Sequence, residues 1–200
     1  MAELEALIIH STRTLQAAYY SLDQLEGAIG SVFGVDTQLI KDSTYFVAAD
    51  ENTLIGCGGW SQRKTLYGGD QGKAGEDPLR DPMTEPAMIR AFFVHPAHTR
   101  KGIARHLLHL CEAAAIQAGF QSFEIIATLA GEPLYAASDY EVVSRFDIHL
   151  VNGADLPVVR MRKHAGSTTA FHRPGQQAKG EQTHPSRLGN DDGDYQAAHA

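Results

Sequence analysis

The chain has 200 residues and a formal net charge of −7, and 43% of its residues are hydrophobic. This length favours one domain with a full core, and an acidic chain whose basic residues cluster only in one short turn argues against a nucleic-acid partner. Neither a signal peptide nor a membrane-spanning stretch is evident, so we expect no membrane partner and a cytoplasmic location.

The N-terminal segment, residues 3–30, is predicted to be helical because apolar side chains recur there at helical spacing. A break is expected near Ser21. From that point Ser21 and Gln24 are spaced to form a capping box, which restarts a helix.

Two strands are predicted next, 45–49 and 54–60, joined by the polar turn 50–53. Glycines interrupt the second strand at Gly56, Gly58 and Gly59. Glycine weakens a strand, so three of them indicate either close approach by other groups or a bulged edge strand.

A long polar loop rich in glycine and proline follows, residues 63–85. Loops of this length without regular structure are usually functional or disordered. The loop is therefore either a lid over a substrate site, with Trp60 and Tyr67 as apolar walls, or a mobile surface segment.

The stretch 90–108 carries the most informative pattern. An apolar strand runs through Val94, a short polar turn follows, and Gly102 opens a helix that the pattern extends to Gly119. The first turn of a helix presents unpaired N–H groups and a positive dipole end, and glycine lets an anion approach them closely. The neighbouring positive charges are Arg100, Lys101 and Arg105. The pattern fits a phosphate or pyrophosphate site, although by itself it is more often an ordinary helix start with solvated basic residues.

The remaining elements alternate between strand and helix. A strand is predicted at 122–128, a short helix at 132–138 and a strand at 141–150. Asn152-Gly153 then predicts a hairpin turn into a last strand at 156–162. From His164 onward apolar residues almost vanish, so we divide the chain into a domain at 1–164 and a disordered tail at 165–200.

The Val-His-Pro sequence, the basic turn, Gly-Ile-Ala and the apolar helix together resemble the GCN5-related N-acetyltransferase (GNAT) family. The family's pyrophosphate loop reads Arg/Gln-x-x-Gly-x-Gly/Ala, which residues 99–104 match except for Thr99 at the first position. The resemblance covers about 44–163. It implies an α/β fold of the acyl-CoA N-acyltransferase type, with a mixed central sheet of splayed strands flanked by helices. The first strand of that fold is not recognisable here.

The resemblance also implies acetyl-CoA as cosubstrate, inserted between the strands at 90–94 and 122–128, where it pairs with an exposed strand edge. The cofactor-binding residues that it implies are Phe92, Phe93, Val94, Thr99, Arg100, Lys101, Gly102, Ile103, Ala104 and Arg105. For Phe92 and Phe93, plain core packing is the alternative. No metal site is predicted, because the pairs His95/His98 and His106/His109 lack a recognised zinc motif.

A general acid is implied by residues 135–140, which resemble the family's Tyr-x-x-x-Gly-Phe motif. By that match Tyr135 protonates the departing sulfur, although Asp139 and Tyr140 replace the glycine and phenylalanine. A half-buried core tyrosine is the alternative. The backbone N–H of Val94 would polarise the thioester carbonyl, again by resemblance.

The general base is not identified by the sequence. Glu85 precedes the cofactor strand and Glu124 lies on the next strand. Each is either a base, acting directly or through water, or a solvated surface carboxylate.

Together these features predict an N-acetyltransferase that acts on a primary amine by direct attack in a ternary complex. A small-molecule amine is slightly favoured over a protein amine, the acidic balance weakly favours a cationic substrate, and a homodimer is left open. The rival interpretation is a non-catalytic CoA-binding regulatory module, which the departures at Thr99 and Asp139 and the missing first strand support. A nucleotide-binding enzyme is a third.

Overall fold

The computed structural model describes residues 1–51, 53–65, 67–68, 77–166 and 198–199. The helices are α1 (Ala2–Leu15), α2 (Leu22–Ala28), α3 (Thr37–Lys41), α4 (Ile103–Gln117) and α5 (Glu132–Ala136), with a 3₁₀ turn at Pro96–His98. The strands are β1 (Tyr45–Asp50), β2 (Thr53–Ser61), β3 (Ala87–Val94), β4 (Ser122–Thr128), β5 (Glu141–His149), β6 (Asp155–His164) and β7 (Ala198–His199).

The strands form one mixed sheet in the order β5-β6-β4-β3-β2-β1-β7. Neighbouring strands are antiparallel except β3 and β4, which run parallel. A core on one face joins the first three helices to the sheet and includes Leu7, Leu25, Leu39, Phe93 and Val158. A core on the other face joins α4 and α5 to it and includes Leu108, Cys111, Ile89, Ile125 and Val159. The predicted mixed sheet flanked by helices is confirmed.

The predicted N-terminal helical segment is confirmed as two helices with the break where it was expected. Ser21 N–H donates to Gln24 Oε1 at 2.9 Å, and Gln24 N–H donates to Ser21 Oγ at 3.3 Å, so the capping box is formed. Helix α3 was not predicted, because five residues are too few to show a helical period. Asp36 caps its N-terminus, where the Asp36 carboxylate accepts the Gln38 N–H at 3.2 Å.

Within the described residues no strand precedes β1, in agreement with the unrecognised first strand. The outer edge of β1 pairs instead with the two-residue strand β7, Val47 opposite Ala198 and Phe46 opposite His199. The predicted disordered tail at 165–200 lies largely outside the described residues. None of the described helices is both long enough and apolar enough to cross a bilayer.

The three glycines of β2 serve close packing. This strand lies between β1 and β3, so the edge-strand alternative is wrong. An added Cβ would lie 2.8 Å from another side chain at each position: Ile103 for Gly56, Phe92 for Gly58 and Tyr45 for Gly59. Their missing side chains let α4 and the two flanking strands approach the β2 backbone.

The two parallel strands part soon after they meet. Their pairing is limited to Ala87 opposite Phe123 and Met88 opposite Glu124. Farther along β3, Ala91 has φ +60° and the register against β2 shifts between Cys57 and Gly59, which marks a bulge. The predicted splay between these strands is therefore confirmed.

The predicted hairpin at Asn152-Gly153 is also confirmed. It joins β5 and β6, which pair antiparallel along their length. Gly153 has φ +85°, a conformation that glycine adopts without steric cost.

Candidate active site

A cleft of about 670 Å³ opens where β3 and β4 diverge. The N-terminus of α4 forms one end, and α5 closes one side. The far wall comes from the other face of the sheet, where the end of α1 and the segments 32–34 and 67–68 line it. The cleft therefore passes through the sheet at the splay.

The start of α4 presents free backbone amides to this cleft. Gly102 caps the helix with φ +85°, and Arg100 also has a positive φ of +63°. The first helical hydrogen bond runs from His106 N–H to the Gly102 carbonyl at 2.9 Å, so the amides of 103–105 precede it and have no intrahelical partner. Such an arrangement binds anions.

Most residues predicted at this end are brought together. The predicted residues that line the cleft are Phe92, Phe93, Val94, Thr99, Arg100, Gly102, Ile103, Ala104 and Arg105. Lys101 does not line it and borders instead a separate pocket of about 290 Å³ with Ala48 and His106. The hydroxyl of Thr99 donates to the Pro96 carbonyl at 3.1 Å, so it stabilises the turn.

The two phenylalanines of β3 point to opposite faces of the sheet. The Phe92 ring lies 6.3 Å from that of Tyr135 on the α5 side, edge to face. The Phe93 ring lies 6.3 Å from that of Phe33 on the α1 side, also edge to face. Both residues pack in the cores, as the alternative predicted, and both also line the cleft, so core packing does not remove them from it.

The edge of β3 next to the splay carries an available donor. His95 N–H donates to the Ile55 carbonyl of β2 at 2.8 Å. Because successive residues of a strand direct their N–H groups to opposite sides, the Val94 N–H points away from β2 and into the gap.

The tyrosine predicted as general acid lies in the cleft wall. Tyr135 is 4% exposed, near the end of α5. Burial raises its pKa above the ordinary value for a phenol, so the hydroxyl stays protonated at neutral pH. The cleft wall therefore carries a neutral phenol here, and not a phenolate.

The turn after α5 forms without the expected glycine. Asp139 adopts φ +67°, a left-handed conformation that Asp tolerates better than most residues. Tyr140 N–H then donates to the Tyr135 carbonyl at 3.0 Å. The ring of Tyr140, in place of phenylalanine, is buried with its centroid 5.8 Å from that of Tyr135. Neither departure disrupts the position of Tyr135.

Neither carboxylate considered as a base lines the cleft. Glu124 is fully buried and is paired with Arg160 at 2.8 Å and Arg162 at 2.7 Å. Burial alone would raise the pKa of Glu124, but the hydrogen bonds and charges of the two guanidinium groups outweigh it and lower the pKa. Both predicted alternatives for Glu124 are wrong, since it is a buried ion-pair residue. Glu85 accepts the Asp81 N–H at 2.9 Å in a surface turn, as a solvated carboxylate.

The pair His95/His98 is part of the turn that follows β3. His95 Nδ1 accepts the Ala97 N–H at 3.2 Å and caps the 3₁₀ turn, and its ring lies 5.1 Å from that of His10 and 5.5 Å from that of His98. In the part of the chain that the structure describes, no group of three or more His, Cys, Asp or Glu side chains is placed to hold a metal ion.

Of the two aromatic residues predicted as walls of a substrate site, one lines the cleft and the other does not. Trp60 is buried against Phe120, with ring centroids 5.9 Å apart, and does not line the cleft, so that prediction is wrong. Tyr67 does line it. This part of the loop is held by Arg90, whose guanidinium donates to the carbonyls of Thr65, at 3.3 Å, and Gly68.

Sequence analysis missed the group that holds this loop. Arg90 is paired with Asp36 at 2.8 Å, and both side chains are almost completely buried. The signal in the sequence was a single charged residue inside an otherwise apolar strand, because an arginine at such a position requires a buried partner.

The fold resembles that of several solved N-acetyltransferases. A GCN5-related N-acetyltransferase from Rhodopseudomonas palustris matches with a TM-score of 0.61 and 18% identity over 82% of this chain and 88% of its own. The PaiA N-acetyltransferase of Thermoplasma acidophilum, solved with coenzyme A, matches with a TM-score of 0.55 and 15% identity over 82% and 91%. YncA of Salmonella typhimurium, solved with acetyl-CoA, matches with a TM-score of 0.52 and 16% identity over 84% of this chain and 92% of its own.

Residues 11–137 match the model of the acetyltransferase (GNAT) family, and the chain belongs to this family. The predicted family is thereby confirmed. No curated protein matches the sequence.

Proposed function

We propose that the protein transfers an acetyl group from acetyl-CoA to a small primary amine by direct attack, with Tyr135 as general acid. The observation that carries the proposal is one continuous cleft that joins the free amides of α4 to Tyr135 through the splay between β3 and β4. The complexes of PaiA with coenzyme A and of YncA with acetyl-CoA support it.

The residues present fit acetyl-CoA as the cosubstrate. The amides of 103–105 and the positive charge of Arg100 and Arg105 suit a diphosphate. The unpaired edge of β3 suits the amide groups of a pantetheine arm, which pair with a strand edge as a peptide does. When bound, acetyl-CoA supplies the activated acyl group.

Two groups of the chain would act on the reacting atoms. The Val94 N–H would donate to the thioester oxygen as negative charge develops there. As the new C–N bond forms and the C–S bond breaks, the Tyr135 hydroxyl would give its proton to the departing sulfur. No carboxylate lies among the described residues that line the cleft, so the proton of the attacking amine would pass to water or to the imidazole of His98, which also lines it.

The test is release of free thiol when purified protein, acetyl-CoA and a panel of primary amines are combined. We expect release that depends on the amine, together with CoA binding in a calorimetric titration. Binding of CoA without thiol release for any amine would overturn the proposal in favour of the non-catalytic module. Competition by ATP or NAD would instead favour a nucleotide-binding enzyme. The formed turn at Asp139 removes one of the reasons for the module.

Gly102→Ala is expected to weaken CoA binding roughly tenfold, because an alanine at φ +85° costs about 1–2 kcal/mol and tilts the amides of the first helical turn. Titration calorimetry measures this change.

Gly153→Ala is the matched control for Gly102→Ala. Gly153 has the same φ of +85°, and for both glycines an added Cβ would meet nothing within 4 Å, but Gly153 lies in the β5–β6 turn away from the cleft. The two variants should lose similar thermal stability, while only Gly102→Ala should lose CoA affinity. Equal CoA affinities would show that the α4 amides do not hold the diphosphate.

A further inference from the structure

One wall of the cleft has no part in holding acetyl-CoA under the proposed function. It lies on the α1 side of the sheet and includes Ser11, Leu15, Gln16, Tyr19, Phe33 and Tyr67. The contact of Phe33 with Phe93, which points away from α4 and α5, places this wall across β3 from Tyr135. A second reactant bound here would approach the thioester from the side opposite the general acid.

A buried amide in this wall points to a ligand. Gln16, at the end of α1, is only 8% exposed and lines the cleft. Its Oε1 is buried and accepts no hydrogen bond from any described residue. An amide oxygen in that position loses its water without a replacement, which is unfavourable unless a donor supplies the missing hydrogen bond. Because Gln16 borders the cleft, a rotation of its amide toward the cavity would let this oxygen accept the N–H of a bound amine.

The rest of the wall is aromatic and apolar. Tyr19 is 50% exposed and Tyr67 is 38% exposed, and both line the cleft, so their aromatic surface is open to a ligand. Leu15 and Phe33 add carbon surface to the same wall. Such a surface gains free energy by covering an apolar body of matching size.

The charged groups of the described lining are cationic. Arg90 lies beside Tyr67 and Gly68 and is already neutralised by Asp36, while Arg100 and Arg105 belong to the α4 end. A polyamine would therefore bring a second ammonium group to a wall whose described residues offer it no carboxylate. The weak expectation of a cationic substrate, based on net charge alone, finds no support at this wall.

We propose that the α1 wall is the acceptor subsite and that it takes a monoamine with an aromatic or apolar body, held through the amide of Gln16. The proposal rests on the proposed acetyltransferase function. It assigns Gln16 as a specificity residue that positions the amine nitrogen, with Tyr19 and Tyr67 enclosing the body of the substrate.

The test compares 2-phenylethylamine, hexylamine, spermidine and a lysine peptide, by turnover with acetyl-CoA and by calorimetric binding to protein saturated with CoA. We expect 2-phenylethylamine to exceed spermidine and the peptide at least tenfold in kcat/KM and in affinity. Preference for spermidine or the peptide would overturn the subsite assignment and leave the acetyltransferase function intact.

Gln16→Leu tests the amide itself, because leucine is similar in size and removes both polar atoms. We expect KM and Kd for 2-phenylethylamine to rise roughly threefold to tenfold, as for one lost hydrogen bond, with an unchanged Kd for CoA. The melting temperature should stay the same or rise, since a buried group without a partner is removed.

Thr12→Val is the matched control for Gln16→Leu. Thr12 lies on the same helix, and its hydroxyl is also buried without a described partner, but it does not line the cleft. It should leave the binding of the amine unchanged. Equal amine affinities for Gln16→Leu and wild type would sink the assignment. If no amine caused thiol release, the acetyltransferase function would be wrong instead. The calorimetric affinities of the amines for CoA-saturated protein would still test the subsite.

Discussion

Replacing Tyr135 with phenylalanine should lower kcat by roughly 100-fold, with the Kd for CoA nearly unchanged. The substitution removes only a hydroxyl from a ring that is already fixed by its contacts with Phe92 and Tyr140. Without that proton the sulfur must leave as a thiolate, and the barrier rises in the step that breaks the C–S bond. Initial rates of thiol release, measured at saturating amine, give kcat directly.

Tyr140→Phe is the matched control for this prediction. Its ring is buried beside that of Tyr135, but it does not line the cleft, so its loss of a hydroxyl should leave kcat within about twofold. If Tyr135→Phe retained the wild-type rate, Tyr135 would be a packing residue, and the general acid would have to be sought elsewhere.

The pH dependence of the rate distinguishes Tyr135 as the general acid from other titrating groups. Because burial raises the pKa of Tyr135, its acid form is kept as the pH rises and is lost only above the ordinary phenol value of about 10. A rate that falls on the alkaline side well below pH 10 therefore reports a different group. The acidic side of the profile should follow the incoming amine, which attacks only when it is neutral.

The parts of this fold that the sequence predicted depend on short-range signals. The amide site at 99–104 follows from one glycine and a helix start, and the hairpin follows from Asn152-Gly153. In both cases the backbone conformation is set by residues within one turn, so no distant contact is needed to infer it. The three glycines of β2 were ambiguous, because their role depends on Ile103, Phe92 and Tyr45.

The parts that were missed depend on pairs that are distant in sequence. Glu124 meets Arg160 across 36 positions and Arg162 across 38, which only the sheet order reveals. Burial of such a carboxylate is tolerated because both guanidinium groups satisfy it. Nor does helical periodicity distinguish Gln16, since what sets it apart is a cleft formed by other elements.

Asp139 shows how a departure from a family motif can be tolerated. The turn needs a left-handed residue, and aspartate reaches that conformation at a modest cost, whereas a β-branched residue would not. The position of Tyr135 is therefore kept by a different residue type. A motif reports the backbone conformation that the site requires, and several residue types can supply it.

Asp36→Asn should destabilise the fold by about 3–5 kcal/mol, because it leaves the buried Arg90 guanidinium without its counter-charge. Asparagine is nearly isosteric with aspartate and keeps an oxygen to accept the Gln38 N–H at the start of α3. The loss therefore reports mainly the charge and not the cap. The change in the free energy of unfolding can be measured by urea denaturation with a constant m-value.

The surface pair Arg13–Glu26 provides the control, since Glu26→Gln removes a similar charge where water still solvates its partner and should barely move the urea midpoint.

Arg90 also holds Thr65 and Gly68, so Arg90→Met should weaken amine binding through Tyr67 while the α4 end keeps its affinity for CoA. The Asp36→Asn/Arg90→Met double variant should lose less stability than the two single losses added together, because neither charge is then left alone. Additive losses would mean that the two charges act independently, and the ion pair would no longer explain how the loop is fixed over the cleft.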